Sequence, residues 1–243
     1  MKNQVVIVTG GSKGYGAGIA AVLKGQGAKV WITGRDEVAL VAAAQRLGVG
    51  SVVADVASGS DWDRVFETVL AAEGRVDVLV NNAGAAISIK PLAGQSDEDI
   101  ARSIAVNLTG SLLGCKRAAA VMKGQGSGTI INVSSVCQKY AWPGWSVYSA
   151  AKAGLAQASK SLYCELRESG VRVTTLIPSW GATEFTSTTD DLVEAPSNDP
   201  AVRAQCTKPE ELGEVVAHIC NTPPHLEVLE YTVVPMVQEI MPL

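Results

Sequence analysis

Val5-Val6-Ile7-Val8-Thr9 runs straight into Gly10-Gly11-Ser12-Lys13-Gly14-Tyr15-Gly16, and an alanine-rich segment follows at once. An unbroken apolar, β-branched run is the pattern of a strand buried on both faces, as in parallel sheets. The glycines let the backbone turn tightly, and the helix behind them starts with N–H groups that have no partner within the helix. Strand, glycine turn and helix in that order make a cradle for an anion, because the free N–H groups and the helix dipole both attract negative charge. In open α/β sheets the ligand of such a cradle is the pyrophosphate of a dinucleotide. Gly10, Ser12, Lys13, Gly14, Tyr15 and Gly16 are therefore candidate cofactor-binding residues.

The alternation continues downstream. Segments 28–33, 52–54, 76–80, 129–133, 171–177 and 227–234 read as further strands, separated by stretches of helical period. Together they predict an α/β fold, doubly wound, with a central parallel sheet of about seven strands and helices on both faces. Ser96 with Asp99, and Thr207 with Glu210, have the spacing of capping boxes and mark two helix starts. Segment 178–206 has no period and is rich in Ser, Thr, Asp and Asn, so it reads as a substrate loop over the sheet edge. A chain of 243 residues, 47% of them hydrophobic, can bury one large core, which predicts a single domain over 1–243.

Several classes are set aside by composition. The net charge is -4 and no Lys/Arg run is present, so neither a nucleic acid nor a membrane surface is an expected partner. The few residues ahead of Val5 make no signal peptide, and the protein is expected to be cytoplasmic. Cys115, Cys137, Cys164, Cys206 and Cys220 lack paired spacing and read as small buried hydrophobes, with no disulfide and no metal site. Gly10-Gly11-Ser12-Lys13-Gly14 also fits the nucleophile elbow of a serine hydrolase, with Ser12 as nucleophile. That reading needs a histidine partner, and only His218 and His225 exist.

The end of the second strand reads Trp31-Ile32-Thr33-Gly34-Arg35-Asp36. A carboxylate here would bond a ribose 2′-OH, whereas an arginine accommodates a 2′-phosphate. Arg35, with Lys13 nearby in the turn, favours NADP(H); Asp36, otherwise a helix-start residue, keeps NAD(H) open.

Tyr148 and Lys152 lie four residues apart in an alanine-rich helical segment and so share a face. A cation beside a phenol favours the phenolate, so Lys152 is expected to lower the pKa of Tyr148 and fit it for acid/base work. Ser134-Ser135 follows one strand and Asn81-Asn82-Ala83-Gly84 another, both at the carboxyl edge of the sheet where ligands bind. A serine hydroxyl there could polarise a carbonyl. Asn107 falls in the long helix that begins near Ser96, an amide among apolar neighbours that calls for a specific partner.

In order and spacing these motifs resemble a classical short-chain dehydrogenase/reductase from Val5 to about Ile177. The resemblance implies a Rossmann fold and a carbonyl–alcohol oxidoreductase that uses NAD(P) and no metal. It places Asn107, Ser135, Tyr148 and Lys152 on the family's catalytic tetrad, Ser135 being preferred to Ser134 by its distance to Tyr148. Tyr148 would exchange a proton with the substrate oxygen and Ser135 would hold that oxygen. Lys152 would bond the nicotinamide ribose, and Asn107 would position a water linking Lys152 to solvent. Further cofactor contacts are implied for Asp55 at the adenine with Val56 beside it, for Asn82, Ala83 and Gly84, and for Pro178 and Thr183. The family's Pro-Gly is replaced by Pro178-Ser179-Trp180-Gly181, and its glycine pair after the last strand by Val234-Pro235-Met236. A homodimer or homotetramer is expected from the resemblance alone. Trp142, Trp145 and Trp180, with Tyr140, fall in the two loops beside the carbonyl site; Trp145 and Trp180 are candidate walls for an apolar or ring-bearing substrate. A dinucleotide-binding sensor or scaffold without turnover is the alternative of a different class.

Overall fold

β1 (Val5–Thr9), β2 (Lys29–Gly34), β3 (Gly50–Val53), β4 (Val78–Asn81), β5 (Gly128–Val133), β6 (Val171–Pro178) and β7 (Glu230–Val233) form one sheet in the order β3-β2-β1-β4-β5-β6-β7, with every pairing parallel. The structure is a computed structural model that describes residues 1–239, Ser187 and Thr188 by their backbone alone. Residues 240–243 of the expected domain lie outside the described residues.

The two-residue period of a strand explains how one run serves two cores. Val6 and Val8 of β1 join Val30, Ile32, Val78, Val80 and Leu176 on one face, under α1 (Gly14–Gly25), α2 (Glu37–Leu47) and α8 (Pro209–Asn221). Val5 and Ile7 join Leu79, Ile130 and Val173 on the other, under α3 (Gly59–Glu73), α5 (Gly110–Gln125) and α6 (Ser146–Leu166). Each such aliphatic side chain contributes roughly 1.5–3 kcal/mol by leaving water. The strand order reverses between β1 and β4, so the crevice at their carboxyl ends is the switch point where ligands bind.

Helix starts follow the sequence signals with one correction. Asp36 caps α2 by accepting from Ala39 N at 3.0 Å, and Ser96 caps α4 (Asp97–Ile104) by accepting from Asp99 N at 3.1 Å. The box expected at Thr207 and Glu210 is one residue later: α8 begins at Pro209, and Glu211 accepts from Lys208 N at 2.8 Å. Thr207 lies one residue before the cap, with its backbone bridging to Gly181. Proline, which lacks an N–H to satisfy, then opens the helix.

Three other features depart from the expectations. Between α4 and α5 the helix widens into a π turn over Ala105–Thr109. Segment 178–206 is not bare loop, since it folds into the 3-10 turns Phe185–Thr188, Asp190–Leu192 and Pro196–Asn198 and the short α7 (Pro200–Arg203). Cys164 is exposed and Cys137 partly so, whereas Cys115, Cys206 and Cys220 are buried as expected. Among the described residues no helix is long and apolar enough to cross a membrane.

α1 and α8 approach each other at Gly18, where an added Cβ would stand 2.3 Å from the carbonyl carbon of Pro209. That atom is backbone and cannot swing aside. Gly18→Ala is therefore expected to lower the unfolding free energy by about 1–3 kcal/mol, read as a lower urea midpoint at unchanged slope.

Candidate active site

The crevice is built by a tie between its two lips. Thr9 Oγ1 at the end of β1 accepts from Asn82 N at 3.0 Å and Ala83 N at 2.9 Å, while Asn82 Nδ2 donates to Thr9 O at 2.9 Å. The turn between β1 and α1 then has no room for side chains. Gly10 and Gly14 have φ of +65° and +53°, and a Cβ on Gly16 would stand 2.2 Å from Gly10 O. Lys13 at the N-cap of α1 makes no side-chain cap, and no acidic residue lies in the first turn. A cradle of glycine backbone with uncapped, electropositive N–H groups fits a pyrophosphate.

Ser12 Oγ faces the end of β2, where a Cβ on Gly34 would stand 3.7 Å from it. Beyond Gly34, Arg35 is exposed and, like Lys13, has no ion pair among the described residues. Asp36 is committed to capping α2. Asp55 accepts from Ala57 N at 2.9 Å and from Arg102 at 2.8 Å. Burial pushes the Asp55 carboxyl up, but these two donors, with the charges of Arg102 and Arg35, bring it below its ordinary value. Val56 is half-buried beside Gly110, and its carbonyl accepts from Trp62 Nε1 at 2.9 Å.

The structure brings Ser135, Tyr148 and Lys152 together on the other side of the crevice. The two serines diverge: Ser134 is buried and donates to Lys152 O at 3.0 Å, while Ser135 accepts from Cys137 N at 3.2 Å and its hydroxyl lies close enough to the Tyr148 phenol to favour the phenolate. Lys152 Nζ lies 5.7 Å from the Tyr148 ring centroid and donates to Val133 O at 2.8 Å. Asn107, in the π turn, exchanges hydrogen bonds with Ala85, donating to its O at 2.9 Å and accepting from its N at 3.0 Å, and donates to Ser103 O at 3.0 Å. Its side chain thus holds the segment behind Gly84, and a Cβ on Gly84 would stand 3.0 Å from Asn107 Oδ1 and 3.4 Å from Lys152 Nζ.

The electrostatics correct one expectation. Burial raises the Tyr148 pKa well above its ordinary value, the Cys137 thiol adds to the rise, and the Ser135 hydrogen bond opposes it only in part. Lys152 does not lower it, because the same burial pushes Lys152 down to about 8, with Cys137 opposing. Desolvation penalises phenolate and ammonium alike, so it outweighs their attraction here. Tyr148 is held as a neutral phenol, which is the proton-donating form.

Two aromatic rings stand edge-on to Tyr148: Trp145 at 5.3 Å between centroids and Phe185 at 5.8 Å. Trp145 was expected here, and Phe185 stands beside the phenol as a second ring. Nothing in the aperiodic sequence around Phe185 marked it, beyond its place two residues after Thr183. Thr183 lies against Gly14, 3.4 Å from the position of a Cβ there. Trp180 is bonded through its backbone to Thr207 and Gln238. Tyr15 points out of the glycine turn towards the same segment, donating to Ser179 O at 3.5 Å. Pro178 ends β6, buried at the floor. The two histidines are elsewhere: His218 packs on Tyr231 at 6.2 Å, and His225 is exposed after α8, which leaves Ser12 without the base a hydrolase needs.

Over residues 4–194 the sequence matches the short chain dehydrogenase family. An uncharacterised oxidoreductase of Staphylococcus saprophyticus is 32% identical over 242 residues, covering 97% of this chain and 99% of that protein. A 3beta-hydroxysteroid dehydrogenase of Eggerthella lenta is 36% identical over 185 residues, covering 73% of this chain and 70% of its own. Among solved structures, the closed form of a serine dehydrogenase complexed with NADP+ superposes with a TM-score of 0.92 at 28% identity, covering 99% of this chain and 98% of that one.

The buried Lys152 gives a pH signature independent of turnover. Its proton is held less tightly in the fold (about 8) than in the unfolded chain (near 10.5), so the unfolded state binds more protons between these values. Its contribution to stability therefore rises with pH across that window. Relative to Lys152→Met, the wild type is expected to gain about 1 kcal/mol per pH unit there, measured by urea unfolding.

Proposed function

The chain belongs to the short-chain dehydrogenase family, and on that premise we propose that it is an NADP-dependent oxidoreductase interconverting a ketone and a secondary alcohol on an apolar or ring-bearing substrate. The observation that carries this reading is the buried Tyr148, held neutral beside Ser135 and walled by two aromatic rings. When bound, the dinucleotide supplies or receives the hydride. Everything else falls to the chain's own groups.

In reduction, the Tyr148 phenol gives its proton to the carbonyl oxygen, and the Ser135 hydroxyl orients that oxygen beside it. In oxidation the phenolate takes the proton back, a form that burial disfavours. Alcohol oxidation is accordingly the direction that gains from rising pH. Lys152, at the back of the tyrosine, hydrogen-bonds the nicotinamide ribose, and Asn107 sets the Gly84–Ala85 segment beside it. Trp145 and Phe185 present ring edges and faces to the reacting centre and exclude water from it.

Arg35 and Lys13 supply the case for NADP, being two exposed cations by the ribose site with no carboxylate committed to either. Asp55 with Val56 borders the adenine, and Thr183, beside Pro178 and Gly14, meets the nicotinamide amide. The relatives agree with this reading in two ways: one acts on a hydroxysteroid, a ring-bearing secondary alcohol, and one is described with NADP+. A small-molecule carbonyl or alcohol is the partner, a homodimer or homotetramer the working assembly, and the cytoplasm the compartment.

A spectrophotometric panel of ketones with NADPH tests the proposal, cyclic and aromatic ketones being expected to outrank short acyclic ones. Tyr148→Phe is expected to lower kcat at least a hundred-fold, on the order of a lost general acid, with NADPH still binding. A wild type that binds NADPH and reduces nothing in the panel would instead favour a sensor without turnover. Arg35→Ala is expected to weaken NADPH binding roughly ten-fold and leave NADH nearly unchanged, as loss of a charge-assisted phosphate contact requires. Equal weakening of both cofactors sinks the assignment to the 2′-phosphate.

A further inference from the structure

The segment Ser179-Trp180-Gly181-Ala182 follows β6 and leads to Thr183 and Phe185, the two residues it delivers to the crevice. It forms a strap whose polar groups are held from four directions. Ser179 N donates to Val233 O at 3.0 Å, and Ser179 O accepts from Tyr15 at 3.5 Å. Trp180 O accepts from Thr207 N at 3.1 Å, and Ala182 N donates to Thr207 O at 2.9 Å. Two further groups, Ser179 Oγ and Trp180 N, both donate to Oε1 of Gln238, the latter at 3.0 Å. Gln238 belongs to the tail, where its own N–H donates to Pro235 O at 3.0 Å, and its side chain is buried.

A buried amide is retained where its hydrogen bonds are made, and both bonds that Oε1 accepts come from the strap. The shape of the strap leaves little slack. A Cβ on Gly181 would stand 2.4 Å from the Tyr15 hydroxyl, so the Tyr15 ring fills the space a side chain would need. Downstream, Thr183 lies against Gly14 and its Oγ1 accepts from Phe185 N at 3.3 Å, and Phe185 packs on the Tyr148 ring. A continuous set of contacts thus runs from the tail through the strap to the reacting phenol.

We propose that Gln238 is a positioning residue for the reaction: by holding Ser179 and Trp180 from the tail, it fixes Thr183 at the glycine turn and Phe185 against Tyr148. The proposal rests on the dinucleotide-dependent reading above. Gln238 touches neither substrate nor cofactor; it acts through the strap. The chain's two departures from its family's pattern, Ser179-Trp180 where a glycine is usual and the altered tail after β7, are then one device, since each supplies the partner of the other.

The test compares Gln238→Met, which keeps the length of the side chain and removes the acceptor, with Gln238→Glu, which keeps an acceptor. Amide hydrogen exchange of residues 179–185 is followed with and without NADPH, alongside steady-state reduction of the best ketone of the panel. For Gln238→Met we expect faster exchange of the strap and loss of its protection by NADPH. Its kcat/KM for the ketone should fall roughly ten-fold, the scale of a small misplacement of reacting groups. Gln238→Glu should recover most of both. Ketone kinetics within about two-fold of wild type in Gln238→Met, or equal losses in both variants, overturn the proposal. If the wild type reduces no ketone, the proposed activity fails by itself and exchange decides the remainder. Protection of 179–185 by NADPH that disappears in Gln238→Met supports the role of Gln238, and protection unchanged by the substitution refutes it.

Discussion

Three hydrogen bonds between the ends of β1 and β4 set the geometry on which the rest depends. Thr9 Oγ1 takes the N–H groups of Asn82 and Ala83, and Asn82 returns a bond to Thr9 O. Sheet pairing alone does not provide this, because the β1–β4 ladder has already ended at Val8 and Val80. The tie keeps the two strand ends together where the chain diverges to opposite halves of the fold, and it closes the space above Gly10 and Gly16. The glycine turn is tight because Asn82 and Ala83 are near, and it is open to an anion because no side chain fits. On the far side, Asn107 holds Ala85, so the same β4 loop connects the glycine turn to Lys152.

At the catalytic end the controlling factor is burial. Tyr148 and Lys152 are each nearly sealed from solvent, and each is pushed towards its neutral form. A water-excluded site strengthens every polar contact within it, which is the condition under which a single hydroxyl such as Ser135 can matter to a developing charge. It also means that the favourable pairing of a lysine with a phenolate cannot be assumed from their spacing on a helix.

That spacing shows where sequence stops being sufficient. The strands were legible because each is a short apolar run with turn-forming residues at its end, and burial on both faces makes that pattern hard to mistake. Tyr148, Lys152 and Ser135 were legible as neighbours because a helix period and a strand end place them. The direction of the Tyr148 shift was not, because it depends on how much solvent the surrounding elements remove. Phe185 was hidden for a different reason: it lies in 3-10 turns without a repeating face, and its place at the site is a tertiary contact, its ring packing on Tyr148. Gln238 was hidden because a polar residue in a tail ordinarily signifies exposure. Thr207 misled because Pro209, favoured at the first helical position, moves the helix start one residue on.

The π turn at Ala105–Thr109 has a consequence for the long helix that contains it. An extra residue accommodated within one turn shifts the phase of everything after it relative to everything before. α4 can then direct Arg102 at Asp55, while α5 sets Gly110 against Val56, Gly114 against Trp62 and Ala118 into the core. The irregularity acts as a phase corrector between the Asp55 end of the crevice and the core, and Asn107 stands at the point where the two phases meet. Length in this helix is therefore constrained as well as composition: one residue more or fewer between Arg102 and Gly110 would turn one end away from its partner.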